Sequence, residues 1–322
     1  MVEVENLTKY YGDLAAVDGV TFAAQKGEIL GFLGPNGAGK TTTMRIIAGF
    51  MPPDRGTARV AGYDVVEDSV EARRHLGYLP ENVPLYDDMT VGHYLTFFAK
   101  LRGVSKKQLR ACVEAALEAT DVAEREHWLI GKLSKGFRRR VGIAQALVHN
   151  PDVLILDEPT EGLDPIQVIA MRDLIRKLRG QRTIFLSTHI LPEAQAMSDR
   201  IVIIDRGRVV AIDTTHNLTT RLQRVHRLRV EVRGPRTEVQ ARLNALPGIL
   251  RVDSRDTRDG ATVFDVEGSM ETDVRERIST TIVKNGWALL ELDTREMTLE
   301  EIFLELTRRQ RPAGASQEVA KV

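Results

Sequence analysis

The sequence predicts an α/β region of about 220 residues with a largely parallel sheet, followed by a smaller α+β region. Strand-like and helix-like segments alternate through the first region, which is typical of α/β folds. Continuous apolar runs at Val153–Leu156, Thr183–Ser187 and Ile201–Ile204 indicate strands that are buried on both faces, as parallel strands are. Near residue 220 the pattern changes to short alternating strands, which indicates a second unit.

The other elements of the first region follow from the spacing of apolar residues. They are strands at Val2–Leu7, Val17–Phe22 and Glu28–Leu33, a helix at Gly39–Ala48, helices between residues 90 and 120, and a helix at Phe137–His149. Asn150-Pro151 ends the last of these, because proline cannot continue a helix.

In the second region the predicted order is strand, helix, strand, strand, helix, strand and a final helix. The elements are Leu228–Val232, Glu238–Leu246, Leu250–Asp253, Thr262–Val266, Glu271–Val283, Ala288–Leu292 and Leu299–Leu306. The first six follow the β-α-β-β-α-β order of ferredoxin-like domains. We therefore expect domains at residues 1–220 and 221–310, and we predict a disordered tail at 311–322.

Composition limits the class of protein. The 322 residues include 45 Lys and Arg and 45 Asp and Glu, so the formal net charge is zero, which argues against nucleic acid as the main partner. The single cysteine, Cys112, excludes an internal disulfide and fits a reducing compartment. The polar N-terminal segment is unlike a signal peptide, and no apolar run approaches the roughly 20 residues of a membrane-spanning helix. We expect any membrane role to depend on a partner.

A glycine-rich loop follows the third predicted strand. Gly34–Thr41, with the sequence GPNGAGKT, matches G-x-x-x-x-G-K-[ST] between a strand and a helix, the context that this motif requires. Its glycines let backbone N–H groups surround a phosphate, and the helix N-terminus adds partial positive charge. We predict Lys40 at the β- and γ-phosphates and the Thr41 hydroxyl at Mg²⁺. The flanking strand and helix disfavour the alternative, an incidental tight turn.

Two carboxylates follow the apolar strand Val153–Leu156. Asp157 and Glu158 stand at its C-terminal end, which is the edge where α/β sheets bind ligands. We predict that Asp157 holds Mg²⁺ and that Glu158 orients and deprotonates an attacking water. The alternative is a strand end with solvated acids, which the phosphate loop upstream disfavours.

The segment Leu133–Phe137, LSKGF, resembles the LSGGQ signature of ABC ATPases. Tyr11 resembles the aromatic residue that stacks on adenine in that family, Asp164 in EGLDP resembles its D-loop, and His189 in STHILPEA resembles its switch histidine at the γ-phosphate. The resemblance implies a P-loop NTPase core with an antiparallel β subdomain and a helical subdomain at about residues 84–150.

The resemblance also implies an ATPase that uses ATP and Mg²⁺. Two copies would enclose two nucleotides, with each phosphate loop facing the Ser134–Gly136 helix start of the partner. The catalytic residues would be Glu158, His189 and Lys40, and the metal contacts Thr41, Asp157 and Glu81. The nucleotide contacts would be Tyr11, Gly34, Pro35, Asn36, Gly37, Ala38, Gly39, Lys40, Thr41, Thr42, Glu81, Ser134, Gly136 and Asp164.

The sequence departs from the family pattern at three positions. Glu81 stands where the Q-loop usually has Gln, and Lys135 and Phe137 replace a glycine and the glutamine of the signature. A carboxylate can still ligate Mg²⁺ or a bridging water, and Lys135 either attracts phosphate or points to solvent. We interpret the following Arg138–Arg140 as a solvated or interface-supporting basic face, with direct phosphate contact as the alternative.

ATP hydrolysis in this family usually moves a membrane-spanning partner. The apolar patch of Pro84, Leu85, Tyr86 and Val91 resembles the groove that accepts a helix of such a permease; the alternative is a subdomain core. The second region, ending MTLEEIFLELTRR, resembles the accessory domain of ABC-2-type exporters. We therefore expect a homodimer on the cytoplasmic face of the cell membrane, bound to a separate permease for export.

A soluble ABC ATPase that acts on ribosomes or DNA is the main alternative. The second region contains a basic stretch, formed by Arg221, Arg224, Arg227, Arg229, Arg233 and Arg236. Such ATPases typically carry two cassettes or a long coiled-coil insertion, whereas this sequence has one cassette and no sustained heptads. We interpret the stretch as solvated charge and expect no nucleic-acid partner.

Overall fold

The computed structural model describes residues 1–222, 225–258, 260–269 and 273–294. The chain divides into two compact units, Met1–Thr215 and a second that begins at His216. The predicted final helix at Leu299–Leu306 and the predicted tail lie outside the described residues. Within the described ranges, no helix is both long enough and apolar enough to cross a bilayer.

Two sheets form the first unit. Its strands are β1 (Val2–Tyr11), β2 (Leu14–Ala24), β3 (Ile29–Leu33), β4 (Arg55–Val60), β5 (Tyr63–Asp64), β6 (Leu76–Leu79), β7 (Val153–Leu156), β8 (Thr183–Thr188), β9 (Arg200–Asp205) and β10 (Arg208–Asp213). An antiparallel sheet has the order β2-β1-β4-β5, and a larger sheet has the order β10-β9-β3-β8-β7-β6. In the larger sheet every neighbouring pair is parallel except β10 with β9. The predicted α/β class with a largely parallel sheet is confirmed.

The side chains of two predicted site residues cap helices of the first unit. The helices are α1 (Lys40–Ile47), α2 (Ser69–Arg74), α3 (Val91–Leu101), α4 (Leu109–Ala119), α5 (Lys135–Leu147), α6 (Pro165–Lys177) and α7 (Leu191–Met197), and α8 (Thr215–Leu222) begins at the unit boundary. Ser134 caps α5 and Asp164 caps α6, each accepting a hydrogen bond from an N–H group of the first turn. Because of this cap, α5 begins at Lys135 rather than at the predicted Phe137.

Helix α5 packs very close to β6. A Cβ on Gly77 would lie 2.1 Å from the carbonyl oxygen of Ala146, and a Cβ on Gly142 would lie 2.6 Å from side-chain atoms of Leu79 and Val83. Only glycine allows this approach, because any larger residue would overlap its neighbours. The contact places side chains of α5 beside the loop that follows β6.

The helices after β6 share a core of their own. Its members come from α3, α4, α5 and their flanks, and include Val91, Tyr94, Leu95, Val113, Leu117, Val141, Ala144 and Val148. The predicted helices around residues 90–120 are present.

The predicted docking patch is not exposed at all of its positions. Val91 is fully buried, so its predicted place in an exposed docking patch is wrong. It is the first residue of α3, and its side chain lies in this core. Tyr86 is exposed, and its ring packs edge-on against Tyr94.

The second unit has the predicted ferredoxin-like order. Its elements are β11 (Val225–Arg233), α9 (Arg236–Asn244), β12 (Ile249–Arg258), β13 (Ala261–Ser269), α10 (Arg275–Lys284) and β14 (Ala288–Thr294). The antiparallel sheet has the order β12-β13-β11-β14. Helix α10 begins at Arg275, later than the predicted Glu271, and β12 extends beyond the predicted Leu250–Asp253.

The two faces of this second sheet differ in chemistry. One face contributes Leu228, Val230, Val232, Phe264 and Val266 to a core that also contains apolar residues of α9 and α10. The alternate positions of the strands are charged, and they form the ion pairs Arg227–Glu267 (3.4 Å), Arg229–Glu291 (3.2 Å) and Arg255–Asp265. Arg227 and Arg229 of β11 therefore face acidic partners on neighbouring strands.

Candidate functional site

The glycine-rich loop joins β3 to α1. Gly37 and Gly39 have φ values of 78° and 103°, in the left-handed region where other residues are strained. A Cβ on Gly34 would lie 2.3 Å from the carbonyl oxygen of Ile204, and one on Gly39 would lie 2.4 Å from that of Ala16. Gly37 is therefore required for its backbone conformation, Gly34 for the space around it, and Gly39 for both reasons.

Lys40 lies against this loop and is buried. Its Nζ donates to the carbonyl oxygens of Gly34 at 2.8 Å and Pro35 at 3.2 Å, and it lies 3.5 Å from Oε1 of Glu158. A buried ammonium group is stable only when such partners replace water. The positive charge is therefore held where the loop meets the end of β7.

Asp157 follows β7 and is fully buried. Its Oδ1 accepts hydrogen bonds from Thr41 Oγ1 at 3.2 Å and Ser187 Oγ at 2.6 Å, whereas Oδ2 has no hydrogen-bond partner among the described residues. A buried carboxylate oxygen without a partner is costly unless a cation binds it. Asp157 and Thr41 therefore suit Mg²⁺, which uses few protein oxygens and fills its shell with water and phosphate.

Glu158 has a φ of 47°, a left-handed conformation that costs about 1–2 kcal/mol for a residue with a side chain. Its N–H donates to Ser187 Oγ at 2.8 Å, and its carbonyl oxygen accepts from Arg139 Nη2 at 2.9 Å. Its carboxylate lies between Lys40 and His189, with Oε2 at 3.1 Å from His189 Nδ1. Ser187 and Arg139, which contact the backbone of Glu158, were not predicted as parts of this site.

An open cavity of about 340 Å³ lies along the loop. Its lining residues are Leu14, Ala16, Asn36, Gly37, Gly39, Lys40, Thr41, Thr42, Glu81, Glu158, Glu161 and His189. Most of the predicted nucleotide contacts within one chain therefore meet at this cavity. Leu14, Ala16 and Glu161 were not predicted. Volumes of this size accommodate small-molecule ligands.

The carboxyl group of Glu81 faces other acids at this cavity. Burial and the nearby carboxylates of Glu161, Asp157 and Glu158 raise its pKa, and the guanidinium of Arg139 acts in the opposite direction. The neutral form of Glu81 is therefore favoured more than in an ordinary glutamate. At this position a carboxyl group competes with phosphate for positive charge unless it is protonated or bound to a cation.

Tyr11, predicted to stack on adenine, ends β1 and is half-exposed. Its hydroxyl donates to Sδ of Met51 at 3.3 Å. Tyr11 does not line the loop cavity, whereas Leu14 and Ala16 on the following strand β2 do.

Ser134, Gly136 and Asp164 lie apart from the loop cavity among the described residues. Ser134 and Gly136 line a second, mostly apolar cavity of about 130 Å³ with Gln167. A Cβ on Gly136 would lie 2.9 Å from Oε1 of Gln167, and Asp164 Oδ1 accepts from the Gln167 N–H at 2.9 Å. The beginnings of α5 and α6 are thus packed together, at a place that does not contribute to the loop cavity.

The three arginines of α5 have three different environments. Arg139 is only 5% exposed. Arg138 pairs with Asp87 at 2.6 Å, and Arg140 pairs with Asp121 at 3.3 Å. The interpretation of the run as a solvated basic face is therefore wrong for Arg139, because the glycine contact between α5 and β6 turns this position inward.

Comparison with known proteins gives the family. A family model described as ABC transporter matches residues 17–161. The chain is 33% identical over 316 residues to the linearmycin resistance ATP-binding protein LnrL of Bacillus subtilis (strain 168), which covers 96% of this chain and 99% of the relative. It is 36% identical over 311 residues to the Nod factor export ATP-binding protein I of Burkholderia thailandensis, which covers 96% and 97%.

Solved structures give the same result. An ATP-binding subunit of an ABC transporter matches with a TM-score of 0.62 and 32% identity, covering 69% of this chain and 92% of that one. The cassette MJ0796, solved as a dimer in a post-hydrolysis state with ADP and Pi, matches with a TM-score of 0.59 and 25% identity, covering 66% and 98%.

The fold and the site thus define an ABC ATPase cassette. The chain belongs to the ATP-binding proteins of ABC transporters, which confirms the family that LSKGF and the phosphate loop predicted. It is an ATP-binding subunit of an ABC transporter, in a family of ATPases whose solved members include dimers.

Proposed function

We propose that this chain hydrolyses ATP between two copies of itself and thereby drives a separate membrane permease in export. One observation supports hydrolysis above all: Lys40, Asp157, Glu158 and His189 meet beside the phosphate loop. Phosphoryl transfer to water needs phosphate contacts, oxygen ligands for Mg²⁺ and a group that orients the water. This cluster contains all three.

Phosphate and metal are held by the loop and the end of β7. In the proposal, the N–H groups of Gly34–Thr41 and the ammonium of Lys40 bind the β- and γ-phosphates. The Thr41 hydroxyl and the free Oδ2 of Asp157 would hold Mg²⁺, with Glu81 as a further oxygen ligand. When bound, Mg²⁺ neutralises charge on the phosphates.

The proton of the attacking water passes to Glu158. Its carboxylate, held between Lys40 and His189, accepts this proton. His189 would keep Glu158 oriented through Nδ1. The opposite edge of its ring, which carries Nε2, would contact the γ-phosphate. We assign Tyr11 to adenine, where its exposed ring can stack.

A second copy completes each site. Ser134 and Gly136 open α5, where N–H groups and the helix dipole attract the γ-phosphate, and Asp164 opens the adjacent α6. Because these residues lie apart from the loop cavity of their own chain, we propose that they meet the nucleotide bound by the partner. The dimeric solved cassette with ADP and Pi supports this arrangement.

Export is supported by the relatives. One is a linearmycin resistance protein and another a Nod factor export protein, and both align over 96% of this chain. Since these alignments include the second unit, we propose that this unit is the accessory domain of an ABC-2-type exporter. The chain would then act at the cytoplasmic face of the membrane through its permease.

A groove on the first unit supports the proposal that the chain binds a permease. Its volume is about 680 Å³, and its lining includes Val70, Leu101 and Val104 together with Arg73 and Arg102. Val70 and Leu101 are exposed, so a helix of a partner could bury apolar surface there. We propose this groove for the permease, in place of the patch predicted around Tyr86.

The alternative of a soluble ATPase acting on ribosomes or DNA receives less support. Phosphate contacts need unpaired basic side chains, whereas Arg229 on β11 faces Glu291, and Arg227 faces Glu267. Two arginines of the predicted basic stretch, Arg227 and Arg229, are thus balanced by acidic residues, and Arg236 hydrogen-bonds to Ser254.

Replacement of Glu158 tests the hydrolysis proposal. Glu158→Gln keeps the size and hydrogen-bonding ability of the side chain but cannot accept a proton, so turnover by the purified full-length chain should fall by about 100-fold or more. Unchanged turnover would remove Glu158 as the base.

A second experiment tests the proposed membrane partner. The chain purified from native membranes should bring down a polytopic protein. Ribosomes or DNA in its place would favour the alternative of a soluble ATPase.

A further inference from the structure

Arg139 joins three parts of the site that are distant in sequence. It extends from α5, and its Nη1 donates to the carbonyl oxygens of Glu81 at 2.5 Å and Pro80 at 3.4 Å. Its Nη2 donates to the carbonyl oxygen of Glu158 at 2.9 Å. One buried guanidinium therefore holds the loop after β6 and the loop after β7 to the helix that Ser134 caps.

The contact with Glu158 acts on a strained residue. Glu158 has a positive φ, and its peptide groups are held from two sides, with Ser187 accepting from its N–H and Arg139 donating to its carbonyl group. Strained conformations of this kind persist only where the surroundings fix them. Without the guanidinium, the backbone of Glu158 would be free to relax, and its carboxylate would leave its place beside His189.

The guanidinium is also the positive charge that faces an acidic cluster. Burial lowers the pKa of Arg139. Four nearby carboxylates favour its charged form, those of Glu161, Glu81, Asp157 and Glu158. Reciprocally, Arg139 lowers the pKa of Glu81. Planar Arg suits this role, because its fork reaches two carbonyl groups at once and stays charged when buried.

We infer that Arg139 is a positioning residue for hydrolysis: it sets the Glu158 carboxylate for proton transfer and couples the signature helix α5 to the Glu81 loop. The inference rests on the proposed role of Glu158 as the base. It assigns Arg139 no contact with nucleotide, so its loss should change the rate of the chemical step much more than the affinity for ATP.

Three variants of the full-length chain separate position, charge and fold. Arg139→Gln removes the charge and the fork, and Arg139→Lys keeps the charge but cannot reach both loops. Arg138→Gln is the matched control on the neighbouring position, where the guanidinium pairs with Asp87 at the surface. For each, kcat and KM for Mg-ATP are measured at neutral pH, with thermal unfolding and nucleotide binding as checks of the fold.

We expect Arg139→Gln to lower kcat about 30-fold with KM within about threefold of wild type. Arg139→Lys should lower kcat only about fivefold, so that the conservative variant rescues most of the loss. Arg138→Gln should stay within about twofold of wild type.

The inference is overturned if Arg139→Gln keeps kcat within about twofold of wild type, or raises KM with kcat unchanged. If Arg139→Gln fails to bind nucleotide because it does not fold, Arg139→Lys tests the inference instead. A kcat of Arg139→Lys equal to that of wild type then overturns the inference.

Glu158→Gln distinguishes the role of Arg139 from the proposed function. Turnover that stops in Glu158→Gln but persists in Arg139→Gln defeats only the role of Arg139, whereas normal turnover in Glu158→Gln defeats the proposed function itself.

Discussion

Both units contain arginine-rich segments, but the surroundings of these arginines differ. On α5, Arg139 is buried and donates to backbone carbonyl groups of two loops. On β11, Arg227 and Arg229 lie on the charged face of a sheet opposite Glu267 and Glu291. Exposed ion pairs contribute little to stability, whereas a buried polar group is costly to leave without partners. Arginine thus positions loops in the first unit and balances surface charge in the second.

The largest effect on stability is expected at a buried polar side chain of the first unit. The Ser187 hydroxyl donates to Asp157 and accepts from the N–H of Glu158, so Ser187→Ala leaves a buried N–H without a partner. We expect the free energy of unfolding to fall by about 1–3 kcal/mol and kcat to fall about tenfold or more. Urea unfolding and steady-state ATPase assays measure the two quantities.

Ser198→Ala is the matched control for this variant. The Ser198 hydroxyl is also buried, but it has no hydrogen-bond partner among the described residues. Its removal should change the free energy of unfolding by no more than about 0.5 kcal/mol. Equal losses in the two serine variants would contradict the view that the contacts of Ser187, rather than its burial, make it important.

A smaller effect is expected at Glu81. Its pKa is raised above the usual 4.5 by burial and by neighbouring carboxylates, so the folded state binds more protons than the unfolded state between the two pKa values. Stability is therefore lost as pH rises through this window. Because the side chain of Glu81 is exposed and solvent screens its interactions, Glu81→Gln should raise Tm by only about 1 °C at neutral pH, with no difference from wild type at acid pH. A Tm that falls at neutral pH would show that the charged form is stabilising.

The smallest effect is expected on the charged face of the second unit. Arg229 and Glu291 are each about half-exposed, with side-chain accessibilities of 50% and 45%. Arg229→Gln should lower the free energy of unfolding by at most about 0.5 kcal/mol, and a double-mutant cycle with Glu291→Gln should give a coupling energy of similar size. A coupling energy several times larger would mean that both regions use arginine in the same way.

Sequence patterns predicted the fold and much of the candidate site. The parallel strands could be predicted because β7 and β8 are continuous apolar runs. The loop Gly34–Thr41 was predictable because its motif specifies both backbone conformation and chemistry. By contrast, β4 and β5 were not identified individually, because they are short and mostly polar.

Contacts between distant segments were harder to predict. In the run Arg138–Arg140, each residue points about 100° from the last around the helix axis, and the sequence does not say which one faces β6. The available signal was Gly142, three positions after Arg139 and on the same face, since a glycine in a helix often marks close approach. Ser187 could have been found as a polar residue that ends a strand beside β7.

The central claim is that each nucleotide is held by two copies of the chain, with Ser134 reaching the nucleotide of its partner. The most direct measurement is the mass in solution of Glu158→Gln with and without Mg-ATP, compared with the Glu158→Gln/Ser134→Arg double variant. We predict that Mg-ATP converts Glu158→Gln to a dimer, whereas the double variant binds ATP and stays monomeric. An ATP-loaded Glu158→Gln monomer, or equal dimerisation of both proteins, would contradict the account.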